Sequence, residues 1–310
     1  MNIDKFLKEK IAEIKKKVVK NEKALVATSG GVDSVVAAII AKRALGDNLY
    51  VLLLDTGFMR EGEIEETKNF FEKEGITLEI WDVKEKFFEA LKGKIDPEEK
   101  RMSFRECFYK TLGQAVKSYS VDFLIQGTIA ADIVETQKGI KTQHNVLSQV
   151  GINPLSFGLK IIEPLKELYK PDVRKLAKAL KFPKKIYDRQ PFPGPGLSVR
   201  VIGEVTPDRI RKVRIATSIV EKTLTSSKIF QVFPVLLSDK ATGIISGKRV
   251  YGDIIAIRAV ESKDAITAKV PKIQLSKLEK VMKEIVEKVP DVVKVLYDIT
   301  PKPPSTIEYI

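Results

Sequence analysis

Up to about residue 187, the apolar positions fall into short continuous runs separated by stretches with helical spacing. The runs at 24–27 (ALVA), 49–54 (LYVLLL) and 123–126 carry no polar alternation, the pattern of strands buried on both faces of a parallel sheet. A further strand is expected at 77–83. Between the strands, helices are expected at 3–18, at 61–74 closed by Gly75, at 96–119 and at 170–180. Strand and helix in regular alternation give an α/β class: a doubly wound, mostly parallel sheet. After the run ending at Gly127-Thr128 the rhythm stops. Residues 131–145 carry Asp132, Glu135, Lys138, Lys141 and His144 with no clean period, which reads as a functional loop or lid hanging from a strand end.

A second break sets the domain boundary. Pro191, Pro193 and Pro195 with Gly194 and Gly196 exclude regular structure, and the stiffness of this stretch, between Arg189 and Arg200, suits a binding surface better than a loose linker. Past it the order is strand (197–203), helix (207–224), strands (230–237 and 253–260), helix (275–289) and strand (292–297), a small α+β domain. The division expected is therefore 1–187 and 188–310. Residues 300–310 are apolar and proline-stiffened, unlike a frayed terminus, so they are expected to pack against an interface or a ligand site.

The chemistry concentrates where the first strand meets the next helix, at Ser29-Gly30-Gly31-Val32-Asp33-Ser34-Val35. Adjacent glycines let the backbone turn and approach a ligand closely, and the amides of a new helix are donors with the positive end of its dipole behind them. That outlines a phosphate site. Asp33 is out of place in it unless a cation lies between carboxylate and phosphate, so Mg²⁺ is expected with Asp33 as a ligand. The string is not G-x-x-x-x-G-K-[ST], so a Walker A loop is excluded. Asp55, at the end of the second strand, either caps a helix or faces the same crevice.

Composition narrows the classes. The chain has 310 residues, 54 basic against 41 acidic, a net charge of +13. The lysines are spread through helices instead of gathered in an arm, and the C-terminal order, comparable with KH-type RNA-binding folds, lacks a G-x-x-G loop; no nucleic-acid partner is expected. A single cysteine, Cys107, excludes a disulfide framework and a Cys-x-x-Cys metal site; at helical spacing with Phe104, Phe108 and Leu112 it reads as a buried thiol. No apolar run suffices to span a membrane, and the amphipathic start is not a signal peptide, so a cytoplasmic protein is expected. His144 has no nucleophile partner in the sequence and reads as a loop hydrogen-bonder.

SGGVDS after a strand resembles the PP-loop of ATP pyrophosphatases, which cleave ATP between the α and β phosphates. Further strings widen the likeness: DTGFMR, DPEEKR, QGTIAADIVE, IKTQHN, IEPLKELYK, RQPFPGPGLSVR, RAVE and KPPSTIEYI occur in the order seen in GMP synthetases and span nearly the whole chain. The chain is similar to the separate synthetase subunit of the two-subunit type, because no glutamine amidotransferase sequence precedes the PP-loop. The resemblance implies an adenine nucleotide α-hydrolase-like domain and a C-terminal dimerisation domain. It implies ATP and Mg²⁺ as cofactors, conversion of XMP to GMP through an adenylated intermediate, and ammonia from a glutaminase subunit. By motif position it implies ATP contacts along Ser29–Val35, metal ligands Asp33 and Asp132, and catalytic roles for Asp33, Asp132, Glu135, Lys138 and Lys141. For XMP it implies Arg101, Arg189, Lys302, Ile307 and Glu308, with Arg105 as an alternative to Arg101.

Overall fold

In a computed structural model, the described residues are 2–19, 21–137, 159–226, 228–262 and 265–310, the side chains of 134–137 excepted. They divide into two compact units. The first comprises Met1–Asp55, Glu63–Val83 and Glu106–Arg189; the second takes Thr56–Gly62, Lys84–Arg105 and Gln190–Ile310. The loops that follow two of the first unit's strands thus belong to the C-terminal unit, which a single cut in the chain does not convey.

The first unit is built on a five-stranded sheet in the order β3-β2-β1-β4-β5, from β1 (Ala24–Ala27), β2 (Leu49–Asp55), β3 (Leu78–Asp82), β4 (Phe123–Ile125) and β5 (Lys160–Ile162). Every pairing is parallel. β2 and β3 lie to one side of β1, β4 and β5 to the other, so the order reverses between β1 and β4, where open α/β sheets form their crevice. Helix α1 (Ile3–Lys17) starts at Asn2, whose side chain accepts from the Lys5 amide, and buries Phe6, Leu7, Lys10 and Ile14. α2 (Val32–Leu45) is apolar almost all round and buries Val35 through Ala41, because it lies between the sheet and α1. α3 (Glu63–Lys73) completes this part. Helix α4 (Lys84–Leu91) belongs to the second unit, and α5 (Pro97–Tyr119) runs through both.

After β4 comes α6 (Ala130–Gln137), then, past β5, α7 (Lys170–Ala179) and α8 (Lys184–Tyr187). The expectation of a loop from residue 131 is corrected over 131–137: eight residues form helix, too few for their period to stand out between polar neighbours. Lys138, Lys141 and His144 lie outside the described residues.

The second unit carries a mixed sheet, β6 (Gln231–Ile245), β7 (Lys248–Val260) and β8 (Val292–Asp298), with β6–β7 antiparallel and β7–β8 parallel. Helices α9 (Pro207–Leu224) and α10 (Leu275–Lys288) complete it, α9 starting at a Thr206 cap that accepts from the Arg209 amide. The strand expected at 197–203 is instead a 3-10 turn, Gly196–Arg200, with a single parallel bridge from Val201 to Leu236. The reason is local. Gly196 has φ +62°, and a Cβ there would lie 2.3 Å from the Phe58 oxygen, so the chain is already turning where a strand would begin. Every residue of the turn is buried, which in sequence looks the same as a buried strand. Cys107 is a free, buried thiol. No helix among the described residues is long and apolar enough to cross a membrane.

Candidate active site

At the carboxyl end of β1 the backbone leaves the sheet through Thr28, whose amide donates to Leu52 O at 2.8 Å, and turns at Gly30, φ +75°. A Cβ on Gly30 would stand 2.6 Å from Thr67 Oγ1 of α3. Two features therefore require glycine: a left-handed backbone and a neighbour already in place. Gly31 then caps α2 with no side-chain hydrogen bond, so the first-turn amides of Val32, Asp33 and Ser34 keep their donors. The hydroxyls shape the loop from below. Ser34 Oγ donates to Gly31 O at 2.9 Å and lies 3.1 Å from Thr28 Oγ1, which accepts from the Gly30 amide at 3.2 Å. Ser29 Oγ accepts from the Gly31 amide at 3.4 Å.

The strand across the switch point seals the cradle. A Cβ on Gly127, just past β4, would sit 2.8 Å from both Asp33 C and Ser34 N, so only glycine lets this strand end meet the first turn of α2. The resulting nest of backbone donors on a helix dipole suits the oxygens of a polyphosphate.

Asp33 holds most of the electrostatics. One carboxylate oxygen pairs with Lys170 Nζ at 2.5 Å; the other, Oδ1, is buried with no hydrogen-bond partner among the described residues. Burial pushes the carboxyl above the ordinary aspartate range, Lys170 pulls it down, the Asp132 charge pushes it up again and Arg174 lowers it. Two acids and two bases therefore act on one another here. Asp132 sits at the third position of α6, its Oδ2 accepting from the Ile129 amide at 3.0 Å, which fixes the helix start. Lys170 and Arg174 are one turn apart on α7, and Arg174 Nε is buried without a partner among the described residues.

Among the described residues no cluster of three or more His, Cys, Asp or Glu could hold a metal. The donor set nonetheless fits Mg²⁺: this ion takes one or two carboxylates and completes its shell with phosphate and water oxygens, and the bare Asp33 Oδ1 is such a carboxylate oxygen.

Ser29 to Val35, Asp33 and Asp132 are thus brought together as the sequence led one to expect. Glu135 falls on α6, one turn beyond Asp132, with its side chain outside the described atoms. Sequence reasoning missed Lys170, Arg174, Thr28 and Thr67. The spacing of Lys170 and Arg174 on a helix opened by Pro171 was the available signal, but nothing local ties it to Asp33, 137 positions away.

The remaining expected residues are distributed between the units. Arg189, in the first, is held by Glu63 Oε1 at 2.5 Å and Glu66 Oε2 at 3.1 Å. In the second unit, Arg101 pairs with Glu98 and donates to Ile310 O, both at 2.5 Å, and Arg105 lies one turn further along α5. Lys302 Nζ donates to Ala265 O at 2.9 Å, and Ile307 is half-buried. Glu308 Oε1 accepts from Gln231 Nε2 and, at 3.4 Å, from Arg200 Nη2. Arg200 and Gln231 are further residues that the sequence reading did not single out as ligands or supports.

Comparison with known proteins follows the same division. A family model described as NAD synthase matches residues 1–195, and one described as GMP synthase C terminal domain matches 218–309. The chain is 48% identical over 310 residues to the second subunit of the glutamine-hydrolyzing GMP synthase of Archaeoglobus fulgidus, covering 100% of both chains. It is also 48% identical to the protein of that name from Pyrococcus furiosus, covering 99% of this chain and 97% of that one. A solved NH3-dependent NAD synthetase from Campylobacter jejuni covers 61% of this chain and 78% of its own, with a TM-score of 0.49 at 19% identity.

Proposed function

Because this chain belongs to the family of separate synthetase subunits of GMP synthase, we propose that its residues carry out the family's reaction as follows. It is the ATP-dependent, XMP-aminating subunit of a two-subunit GMP synthase, and its place as the second of two subunits implies a companion chain. The chemical problem is the carbonyl at C2 of the xanthine ring, a poor electrophile whose oxygen is a poor leaving group. That oxygen attacks the α phosphorus of ATP, and the α–β bond breaks to release pyrophosphate. Ammonia then adds at C2, and AMP departs with the oxygen to leave GMP.

The open amides of Val32, Asp33 and Ser34 hold the departing pyrophosphate, where negative charge accumulates as the α–β bond breaks. Asp33 and Asp132 would hold Mg²⁺, which when bound offsets the charge on the phosphates. Lys170 and Arg174 supply positive charge from α7. Glu135, Lys138 and Lys141 act on the nucleotide from the segment after β4. Arg101, Arg189, Lys302, Ile307 and Glu308 bind XMP, the lysine as a point charge for the 5′-phosphate and Glu308 as an acceptor for the purine edge. The chain works in the cytoplasm as a homodimer through its C-terminal unit, and the companion chain is the glutaminase that delivers ammonia.

The observation that carries this reading is the uncapped start of α2 beside a buried, half-partnered Asp33. The test is product analysis with XMP, ATP, Mg²⁺ and ammonium: equal amounts of AMP, pyrophosphate and GMP are expected, and very little with glutamine in place of ammonium. ADP with orthophosphate would refute it, and amination of deamido-NAD in preference to XMP would move the chain to NAD synthesis.

A further inference from the structure

Arg200 is fully buried, an expensive place for a guanidinium. Burial lowers its pKa and Glu308 draws it back up. Its guanidinium carbon lies 4.2 Å from the centre of the Phe233 ring and 4.9 Å from that of Phe192. If it served only to neutralise Glu308, a forked, two-point pair would satisfy both partners best. The geometry differs. Arg200 reaches Glu308 through Nη2 alone, at 3.4 Å, and on Oε1, the oxygen that Gln231 Nε2 already holds. Glu308 Oε2, Arg200 Nε and Arg200 Nη1 are left buried without partners among the described residues. A carboxylate fixed on one oxygen and bare on the other lacks one donor.

The backbone around Glu308 is anchored separately. Arg258, also fully buried, donates to Thr306 O at 2.7 Å and to Thr300 O, and Arg101 donates to Ile310 O. Arg200 therefore controls the direction of the Glu308 side chain more than the path of the tail. We propose that Arg200 is a positioning residue for purine recognition: with Gln231 it fixes Glu308 Oε1 so that Oε2 is kept for a ring N–H of the nucleotide. This rests on the reading of Glu308 as an XMP contact.

The test uses the full chain with ammonium as nitrogen source and a double-mutant cycle between Arg200→Met and Glu308→Gln. Arg200→Met should raise KM for XMP by about ten- to a hundredfold, the loss expected for a hydrogen bond to a charged group, with KM for ATP unchanged. Arg200→Lys, which keeps the charge but not the planar fork, should fall between wild type and Arg200→Met. The double variant should be no worse than the more impaired single variant, because both changes disable the same oxygen. Additive losses, or a folded Arg200→Met with unaltered KM for XMP, overturn the inference. If Arg200→Met does not fold, the same cycle is run with Arg200→Lys, and additivity there overturns it equally. An unchanged KM for XMP in Glu308→Gln would instead remove the underlying reading of the tail.

Discussion

The two units bind with opposite materials. At the start of α2 the donors are backbone amides, and the side chains nearby are partly open: Lys170 is 42% exposed and Asp33 25%. Around Glu308 the donors are side chains, and Arg200 and Arg258 have no exposed surface at all. A site made of amides depends on the path of the chain, hence on glycines at fixed places. A site made of buried arginines depends on which distant residues meet. The first writes itself into six consecutive letters; the second is scattered from 200 to 308.

This contrast can be broken most forcefully at Asp33. Asp33→Asn keeps the helix start but removes the charge that faces Lys170 and Asp132, and the rate of pyrophosphate release should fall roughly 10²- to 10³-fold. A rate within a few-fold of wild type would mean that the amides suffice. A smaller effect is expected at Gly127. Gly127→Ala places a methyl against the Asp33 and Ser34 backbone and should cost about 1–3 kcal/mol of stability and weaken ATP binding. Thermal melting and KM for ATP measure it; an equally strong effect on KM for XMP would show that the disturbance is not confined to the phosphate cradle.

The smallest expected effect concerns a buried cation in the second unit. Lys100 is fully buried and donates to Val201 O at 2.7 Å, and burial brings its pKa from 10.5 down to about 8, with Arg209 adding to the fall. Below about pH 8 the amine is charged in both folded and unfolded chains and the full burial cost is felt. Between the folded and the unfolded pKa the unfolded chain binds the extra proton, so stability rises with pH; above 10.5 the cost is gone. Relative to Lys100→Met, the wild-type protein should gain on the order of 1 kcal/mol per pH unit across that window, read from denaturant unfolding at a series of pH values. Parallel curves would show that Lys100 carries no such cost.

The sheet was largely readable because its signals are short-range. Runs such as LYVLLL and the SGGVDS turn state their structure within one window, and β1, β2 and α2 lie where those letters place them. The turn at 196–200 was not readable, since burial on all sides erases the alternation that would tell a strand from a helix. Nor was the ring of partners around Asp33. Lys170 stands among many exposed lysines, and only the fold singles it out. Arg200 sits in a readable string, yet its burial depends on Phe192, Phe233 and Glu308, which no pattern connects beforehand.

The chain passes from one unit to the other after residues 55, 62, 83, 105 and 189. Leu197 donates its amide to Phe58 O, and Arg214 reaches Gly57 O and Met59 O, so the C-terminal unit borrows part of its framework from the turn after β2. A gene split at codon 190 would not yield two self-sufficient proteins. Exchanging the C-terminal half with a relative would have to carry residues 56–62 and 84–105 along with it, which makes this architecture resistant to shuffling by simple end-to-end fusion.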